Sequence, residues 1–277
     1  MEITRGTVPS VLCTVRDCHQ PLTIDDRRAV CPRNHSYDRA RSGYWNLLQP
    51  QDRKSKIPGD PKSAVEARRR FVDRGHVDAL HQALVDVLRP IGARTLLDVG
   101  CGEGFHLGGF RRDLGVEAHG TDLSLPAIEH AAKRHRDCTF AVANADRFVP
   151  YESNSIDALT SITARMTPDE FHRVLSPDGV AMIVIPAPDD LIELRAAVLG
   201  AGEERDRVER TVSTFADHFE LVRHERFRMR LTLDRDSIHD VLSSSYRGLR
   251  TREQERLARL EAMEITSSRD ILLFKRK

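Results

Sequence analysis

TLLDVGCGEG (residues 95–104) is the segment of this 277-residue sequence that decides the fold. Its first half is a short apolar run, as expected of a buried parallel strand. Gly100, Gly102 and Gly104 follow, and glycines permit a sharp turn and let a ligand approach the backbone where a Cβ would collide. Glycine-rich turns also occur in dinucleotide-binding enzymes, but this G-x-G-x-G form lacks their spacing. The segment predicts a strand, a ligand-binding turn and a helix.

Strand-like and helix-like patterns alternate after this turn. Such alternation predicts an α/β fold with a doubly wound, Rossmann-like parallel sheet. Two later strand-like segments are suited to an antiparallel pair that completes the sheet. The predicted strands are 95–100, 116–122, 138–145, 155–162, 179–186, 219–233 and 268–277, and the predicted helices between the first five are 105–114, 126–134 and 168–175.

Polar residues stand at the carboxyl ends of the predicted strands, where ligands bind in such folds. Asp98 precedes the glycine turn, and Asp122 ends the second strand, where a carboxylate can accept hydrogen bonds from both ribose hydroxyls. Asn144 and Asp146 end the third strand and can flank an adenine edge. The alternative is that Asp122 and Asp146 only cap helices. Four aligned features favour a nucleotide cofactor, and the turn with its acid is typical of class I methyltransferases that use S-adenosylmethionine.

Three of the five cysteines lie close together near the N-terminus, with a histidine beside the third. Cys13-x4-Cys18-x12-Cys31-x3-His35 forms two close pairs, a spacing from which tight turns deliver four tetrahedral ligands to Zn²⁺. Four protein ligands leave no open position, so the predicted zinc is structural. His19 is a second candidate ligand, ranked below His35. The alternative is three reduced cysteines packed as small hydrophobic side chains.

The charge distribution points to one basic region in an otherwise balanced chain with a net charge of +1. Residues 53–70 contain seven basic and two acidic side chains, which predicts a phosphate-binding patch, with a solvated helix face as the alternative. No apolar run is long enough for a membrane span, and the first residues lack a secretory pattern. We therefore expect a cytoplasmic protein with no membrane partner.

Four short segments in a set order carry a more specific signal than any single motif. They comprise the cysteine cluster, Tyr37-Asp38-x-Ala40-x-x-Gly43-Tyr44, Pro58-Gly59-Asp60, and Glu66-Ala67-Arg68-Arg69-Arg70-Phe71-x-Asp73-x-Gly75-His76. Continuing into DVGCGEG, this order resembles the bacterial 23S rRNA guanine-N1 methyltransferases of the RlmA/TlrB type. The resemblance runs from about Cys13 to about Ser245 and is densest before Glu103.

The resemblance implies zinc, S-adenosylmethionine and a 23S rRNA hairpin as partners, and transfer of a methyl group to guanine N1. Some members of that family confer macrolide resistance, so the same role is an expectation here. It implies Cys13, Cys18, Cys31 and His35 as zinc ligands, and cofactor contacts at Gly102, Glu103, Val77 and Asp190.

The sequence departs from the family pattern at several of these positions. Four residues separate the first cysteine pair where two are usual. Val77 replaces an aromatic residue, and Asp190 replaces a histidine. Thr163-Ala164-Arg165 replaces an aromatic-Ala-Pro segment near the expected substrate entrance.

We predict a zinc-binding RNA-recognition module at residues 1–50, a basic linker and helix at 51–90, and a methyltransferase domain at 91–277. Two other functions stay open: a small-molecule methyltransferase, and an RNA-binding protein with a degenerate active site. The oligomeric state is also open, with a homodimer as one alternative. No general base is identified, although Asp146, Asp189 and Asp190 are candidates.

Overall fold

The computed structural model describes residues 9–52, 58–200, 206–245 and 251–277. Its strands are β1 (Thr23–Ile24), β2 (Arg28–Val30), β3 (Ser36–Asp38), β4 (Trp45–Asn46), β5 (Thr95–Val99), β6 (Glu117–Asp122), β7 (Thr139–Val142), β8 (Ile156–Ile162), β9 (Leu175–Pro186), β10 (Phe219–Asp234) and β11 (Ala262–Arg276). Its helices are α1 (Lys62–Asp73), α2 (Asp78–Leu88), α3 (Phe105–Leu114), α4 (Leu125–Arg134), α5 (Pro168–Val174), α6 (Ile192–Leu194), α7 (Val208–Phe215), α8 (Arg235–Ser245) and α9 (Thr251–Ala258).

Eight strands form one sheet in the order β10-β11-β9-β8-β5-β6-β7-β4. The pairs from β9 to β4 are parallel, whereas β11 pairs antiparallel with both β9 and β10. The predicted doubly wound sheet with an antiparallel pair at one end is confirmed. The chain leaves β5 toward β6 on one side and later returns to β8 on the other. A crevice therefore opens at the carboxyl end of β5, where ligands bind in such sheets.

Several element boundaries differ from those that the sequence pattern predicts. Strand β7 ends at Val142 instead of residue 145, and β11 begins at Ala262 instead of residue 268.

Two further differences have a local cause. The fifth parallel strand begins at Leu175 instead of residue 179, because Leu175 pairs with Ile156 before a register shift in the ladder. The helical pattern that begins at Ala64 is divided into α1 and α2, since Gly75 between them has φ +79°. A positive φ ends a right-handed helix at little cost only when the residue is glycine.

The N-terminal segment forms a small antiparallel sheet, β1-β2-β3, and then joins the main sheet. β4 pairs in parallel with β7, and Val11 forms an isolated bridge with Tyr151. Cys13, Trp45 and Tyr151 are all buried in the same apolar cluster as Leu97 of β5. The described part of the predicted module, residues 9–50, is thus packed directly on the sheet edge, and the boundary of the module stays a prediction.

Helix α1 is attached to the C-terminal half of the chain by charged contacts. Asp240 on α8 is buried and receives hydrogen bonds from Arg70, at 2.6 Å and 3.1 Å, and from Arg74, at 2.6 Å. These contacts hold α1 across the carboxyl ends of the strands. None of the helices in the described ranges has the length and apolar character needed to cross a bilayer.

Candidate active site and metal centre

The four predicted zinc ligands lie together in the N-terminal segment. The ligand atoms of Cys13, Cys18, Cys31 and His35 are all within 4.8 Å of one another. The Cys18 and Cys31 sulfurs are 3.7 Å apart, and His35 Nδ1 is 3.4 Å from the sulfurs of both Cys13 and Cys31. Tetrahedral zinc with Zn–S bonds of about 2.3 Å separates two sulfurs by about 3.8 Å. The donor set therefore has the chemistry and spacing of a structural zinc site.

Backbone geometry explains how a long first loop still closes this cluster. Asp17 and His19 flank Cys18 with φ of 61° and 47°; left-handed Asp17 turns the chain before Cys18, and left-handed His19 turns it again directly after. His19 stacks on Phe148, with ring centroids 3.9 Å apart, and lies outside the ligand cluster. His35 is thus the histidine that completes the site, and the two extra residues of the first pair are accommodated in the turn.

A hydroxyl supports the metal cluster from outside. The Tyr37 oxygen lies 3.1 Å from the Cys13 sulfur and accepts a hydrogen bond from the Thr14 backbone N–H at 3.1 Å. Since Thr14 N–H is a donor, the Tyr37 O–H is available to donate to the sulfur. Such outer partners orient metal ligands and tune them. Zinc held there would join the β1–β3 sheet to the segment around Cys13. In that segment Val11 forms the bridge with Tyr151.

We predict about one zinc per chain in protein purified without chelator, and Cys31→Ser should lose it. Because the N-terminal sheet is too small to fold on apolar burial alone, loss of zinc should also lower the melting temperature. Elemental analysis and thermal unfolding measure both effects. Cys138→Ser is the matched control, since Cys138 lies outside the cluster. Zinc retained in Cys31→Ser at full occupancy would contradict the assignment.

A cavity of about 680 Å³ lies at the carboxyl end of β5, beneath α1 and α2. The described residues that line it come from the glycine turn, the first turn of α3, the loop after β8, and the segments around Pro186–Leu191 and Ser267–Arg269. The volume falls in the range of small-molecule and cofactor sites. The sequence-predicted residues in its lining are Val77, Asp98, Gly100, Gly102, Glu103 and Asp190.

Acidic side chains are concentrated beneath the glycine turn. Asp98 is buried and accepts a 2.7 Å hydrogen bond from the Thr160 hydroxyl, and burial raises the pKa of Asp98 to about 7. Burial also raises the pKa of Glu103 and of Asp122. A cationic ligand lowers the cost of ionising buried carboxyls. S-adenosylmethionine carries a sulfonium and an ammonium group, so the residues present fit this cofactor.

Four predicted cofactor residues lie outside the lining formed by the described residues, namely Gly104, Asp122, Asn144 and Asp146. The Asp122 carboxylate accepts hydrogen bonds from Gly102 N, at 3.0 Å, and Ser124 N, at 2.7 Å, and so holds the glycine turn and the start of α4. Asn144 donates to the Asp52 carbonyl at 3.1 Å, and Asp146 lies 3.3 Å from Arg165. Contacts of these four residues with the cofactor remain a proposal.

The three glycines of the turn have different surroundings. A Cβ on Gly100 would lie 2.4 Å from the Ala164 side chain, and one on Gly104 would lie 2.9 Å from that of Ala131. Those two glycines make room for neighbouring elements of the protein itself. Gly102 has φ +55°, and Arg68 Nη1 would lie 3.4 Å from its Cβ, so its open side faces the cavity. Close approach of a ligand therefore depends chiefly on Gly102.

Arg68 of α1 enters the cavity from above. Its guanidinium donates to Asp60 at 3.0 Å, and its charge acts to lower the pKa of Glu103. The Asp60 carbonyl accepts a 2.7 Å hydrogen bond from Ser124, so the Pro58–Asp60 loop is held against α4. Arg68 is thus a counter-ion of the acidic cluster. From the sequence alone, Arg68 was predicted only as a member of the basic patch at residues 53–70.

That basic patch is only partly described by the structure. Arg68 and Arg70 form ion pairs with Asp60 and Asp240, which shows that this half of the patch is engaged within the protein. The other predicted phosphate contacts, Arg53, Lys54 and Lys56, lie outside the described residues.

Asp190 occupies the wall of the cavity opposite the glycine turn. It is buried, accepts a 3.0 Å hydrogen bond from Ser268 N and forms an ion pair with Arg269. Arg269 lines the cavity as well, although the sequence offered no signal for it. The reason is topological, because β11 returns to pair with β9 from near the C-terminus. Thr163 also lines the cavity, with φ +53°.

Comparison with known proteins accounts for both sites. An RlmA N-terminal zinc-ribbon family model matches residues 13–56, and a methyltransferase-domain model matches residues 96–179. A 23S rRNA (guanine(748)-N(1))-methyltransferase from Streptomyces fradiae is 35% identical over 82% of this chain and 81% of its own. The chain belongs to the 23S rRNA (guanine-N1)-methyltransferase family. It is an S-adenosylmethionine-dependent methyltransferase with a zinc-binding ribbon.

Two other relatives carry provisional 23S rRNA guanine-N1 methyltransferase names. The Bacillus subtilis protein YxjB is 35% identical, covering 76% of each chain, and the Micromonospora griseorubida protein is 31% identical over 83% of this chain and 84% of its own. One solved structure, a chain of the complex between the Haloferax volcanii Trm112 activator and a provisionally assigned methyltransferase, aligns with TM-score 0.51 and 18% identity. That alignment covers 78% of this chain and 97% of that chain and supports the class I fold alone.

We predict that Gly102→Ala weakens S-adenosylmethionine binding at least about tenfold, because the added methyl group would enter the cavity. Gly115→Ala is the matched control: Gly115 has φ +70°, so it carries similar backbone strain, yet an added Cβ there meets nothing within 4 Å. Its affinity should equal that of the parent. Calorimetric titration measures both, and equal affinity in the two variants would refute this location of the cofactor.

The affinity of this methyltransferase for its cofactor should rise with pH. Below the Asp98 pKa of about 7 the carboxyl is neutral and loses its attraction for the cation, whereas above it the carboxylate is present. Affinity should therefore increase roughly tenfold between about pH 6 and about pH 8 and then level off. Asp98→Asn should remove most of this dependence. Titrations at several pH values that show a flat parental profile would contradict it.

Proposed function

We propose that this methyltransferase transfers a methyl group from S-adenosylmethionine to N1 of a guanine in 23S rRNA. The observation that carries the proposal is the combination of a zinc ribbon with an intact glycine turn in a chain related to named rRNA guanine-N1 methyltransferases over most of its length. A fold of this class serves many substrates, so the fold alone does not support an RNA substrate. The ribbon and the family relationship do.

The cavity is suited to positioning more than to covalent catalysis. When bound, S-adenosylmethionine supplies an electrophilic methyl group on a sulfonium centre. Asp98, Glu103 and Asp122 place negative charge around the glycine turn, and Arg68 on α1 closes it from above. Rate acceleration in such a site comes from alignment of the two reactants and exclusion of water. Guanine N1 carries a proton near neutrality, so an acceptor for it is also required.

We further propose roles for the three predicted segments. Residues 1–50 grip the shape and phosphates of an RNA hairpin, residues 51–90 add basic contacts and cover the cofactor, and residues 91–277 carry out methyl transfer. The cofactor contacts of Val77, Asp122, Asn144, Asp146 and Asp190 belong to this proposal. A cytoplasmic location follows from a ribosomal RNA substrate. A homodimer and a role in macrolide resistance stay predictions.

The experiment that tests the function offers three substrate pools to one enzyme. Tritiated cofactor is incubated with intact ribosomes, with protein-free 23S rRNA and with a small-molecule extract, and the labelled nucleoside is identified by chromatography. We expect label in 1-methylguanosine from RNA. Label only in small molecules would establish the alternative methyltransferase function, and cofactor binding without any transfer would establish a degenerate RNA-binding protein.

A second experiment tests whether the basic segment contacts the phosphates of the RNA. Replacing Arg53, Lys54 and Lys56 by alanine should weaken hairpin binding and reduce its salt dependence, because each phosphate contact releases condensed counterions. Affinity for free cofactor should not change. A second variant replaces Arg27, Arg28 and Arg33, which are exposed basic residues of the zinc module. Comparison of the two variants shows which basic group contacts the RNA phosphates. Equal affinity and slope in both variants and the parent would remove RNA binding by basic side chains.

A further inference from the structure

A chain of three side chains runs from the protein surface to the cofactor cavity. Asp113 near the end of α3 lies 3.1 Å from His81 Nε2, and His81 Nδ1 lies 3.2 Å from His106 Nδ1. His106 stands in the first turn of α3, next to the glycine turn, and lines the cavity. Within the described part of the chain, its remaining ring nitrogen, Nε2, has no hydrogen-bond partner.

The acidic end of this chain sets the direction of every hydrogen bond in it. Arg112 donates two 2.7 Å hydrogen bonds to Asp113 and holds the Asp113 pKa down to about 2, so that group is an acceptor only. His81 Nε2 must then carry a proton and donate it. Burial lowers the pKa of both His81 and His106, the latter to about 3, so each ring is neutral and has one proton.

The tautomers follow from that count. His81 donates from Nε2, so its Nδ1 is an acceptor, and His106 must donate from Nδ1. His106 Nε2 is left with a lone pair and no protein partner. A carboxylate that selects the tautomer of an imidazole through its second nitrogen is a known device for preparing a base.

We propose that His106 accepts the N1 proton of the target guanine and that His81 and Asp113 are the positioning residues which prepare it. This assignment rests on the proposed function, because it presumes a guanine in the cavity. The proton passes from guanine N1 to His106 Nε2 as the N1 electron pair forms a bond to the methyl carbon. The carbon–sulfur bond breaks with its electrons going to sulfur, which gives N1-methylguanine and S-adenosylhomocysteine.

A weakly basic imidazole is sufficient for this step. N1–H becomes more acidic as the new bond draws electron density from N1, so proton transfer late in the reaction needs no strong base. The imidazolium formed on His106 can share its Nδ1 proton with His81, whose own Nε2–H is held by the Asp113 carboxylate. The charge is thereby spread toward the Arg112 and Asp113 pair near the surface.

Asp190 is the competing base in the same cavity, and its contacts argue against it. Its carboxylate already accepts from Ser268 N and is paired with Arg269. Asp190 is thus already engaged by an N–H donor and a guanidinium, whereas His106 Nε2 keeps an available lone pair.

The ring of His81 packs tightly against helix α3. A Cβ on Gly109 would lie 2.3 Å from His81 Nε2, so only glycine at that position of α3 lets the ring reach Asp113. Glycine inside a helix is less favourable than alanine. The short distance to the His81 ring accounts for a glycine at position 109.

The kinetic test compares His106→Gln and Asp113→Asn with the parent on 23S rRNA. His106→Gln should lower kcat about 100-fold or more, while calorimetric affinity for S-adenosylmethionine stays within about twofold. Asp113→Asn, which does not line the cavity, should lower kcat about tenfold with KM unchanged. His239→Ala, exposed on α8, is the control and should retain parental activity. His106→Gln with the parental kcat would overturn the relay and leave the proposed function standing.

A spectroscopic test needs no methyl transfer. Long-range ¹H–¹⁵N correlation spectra of histidine-labelled protein distinguish the two neutral tautomers, and the His106 signals are assigned by their loss in His106→Gln. The Nδ1–H tautomer is expected in the parent, with both tautomers present in Asp113→Asn. An Nε2–H tautomer or a charged ring in the parent at neutral pH would overturn the relay whatever the activity. A parent that methylates no guanine would overturn the proposed function, and the relay's reaction with it.

Discussion

The burial of carboxyl groups around one glycine turn, with Asp98 and Glu103 buried and Asp122 partly exposed, is the constraint on which the active site depends. Asp98, Glu103 and Asp122 each have a raised pKa because burial penalises the charged form, and their charges act on one another. Such a cluster is tolerated where hydrogen bonds and a cation offset it. Thr160 and the Gly102 backbone supply hydrogen bonds, and Arg68 supplies charge.

This constraint links the site to the outer elements of the fold. Arg68 belongs to α1, whose Arg70 and Arg74 are anchored by the buried Asp240 of α8. The ion pairs with Asp60 and Asp240 therefore hold the C-terminal half of the helix that covers the cavity, and Arg68 also places its charge near Glu103. A cationic cofactor and Arg68 act on the same carboxyls, so cofactor binding and the position of α1 are expected to be coupled.

The zinc centre is joined to the same framework from the opposite edge of the sheet. Tyr37 of β3 contacts the Cys13 sulfur. Strand β4, a few residues later in the chain, pairs in parallel with β7. Trp45 and Tyr151 are buried in the apolar cluster common to both parts. Zinc held by ligands between Cys13 and His35 would thus also order the segment that completes the sheet. The position of the ribbon relative to the main sheet is thereby defined, and so would be the position of an RNA hairpin that the ribbon binds.

Local pattern was sufficient for the sheet, the glycine turn and the four zinc ligands, because each depends on spacing within a short stretch. All three signals are local properties of the sequence: the periodicity of a strand, the conformational freedom of glycine, and the spacing of paired cysteines. Tertiary structure alone decided which glycine faces the cavity, that Asp122 holds the turn, and that Arg269 meets Asp190. It also decided that His81 joins His106 to Asp113. Those contacts join residues far apart in the chain, and only packing determines which of them meet.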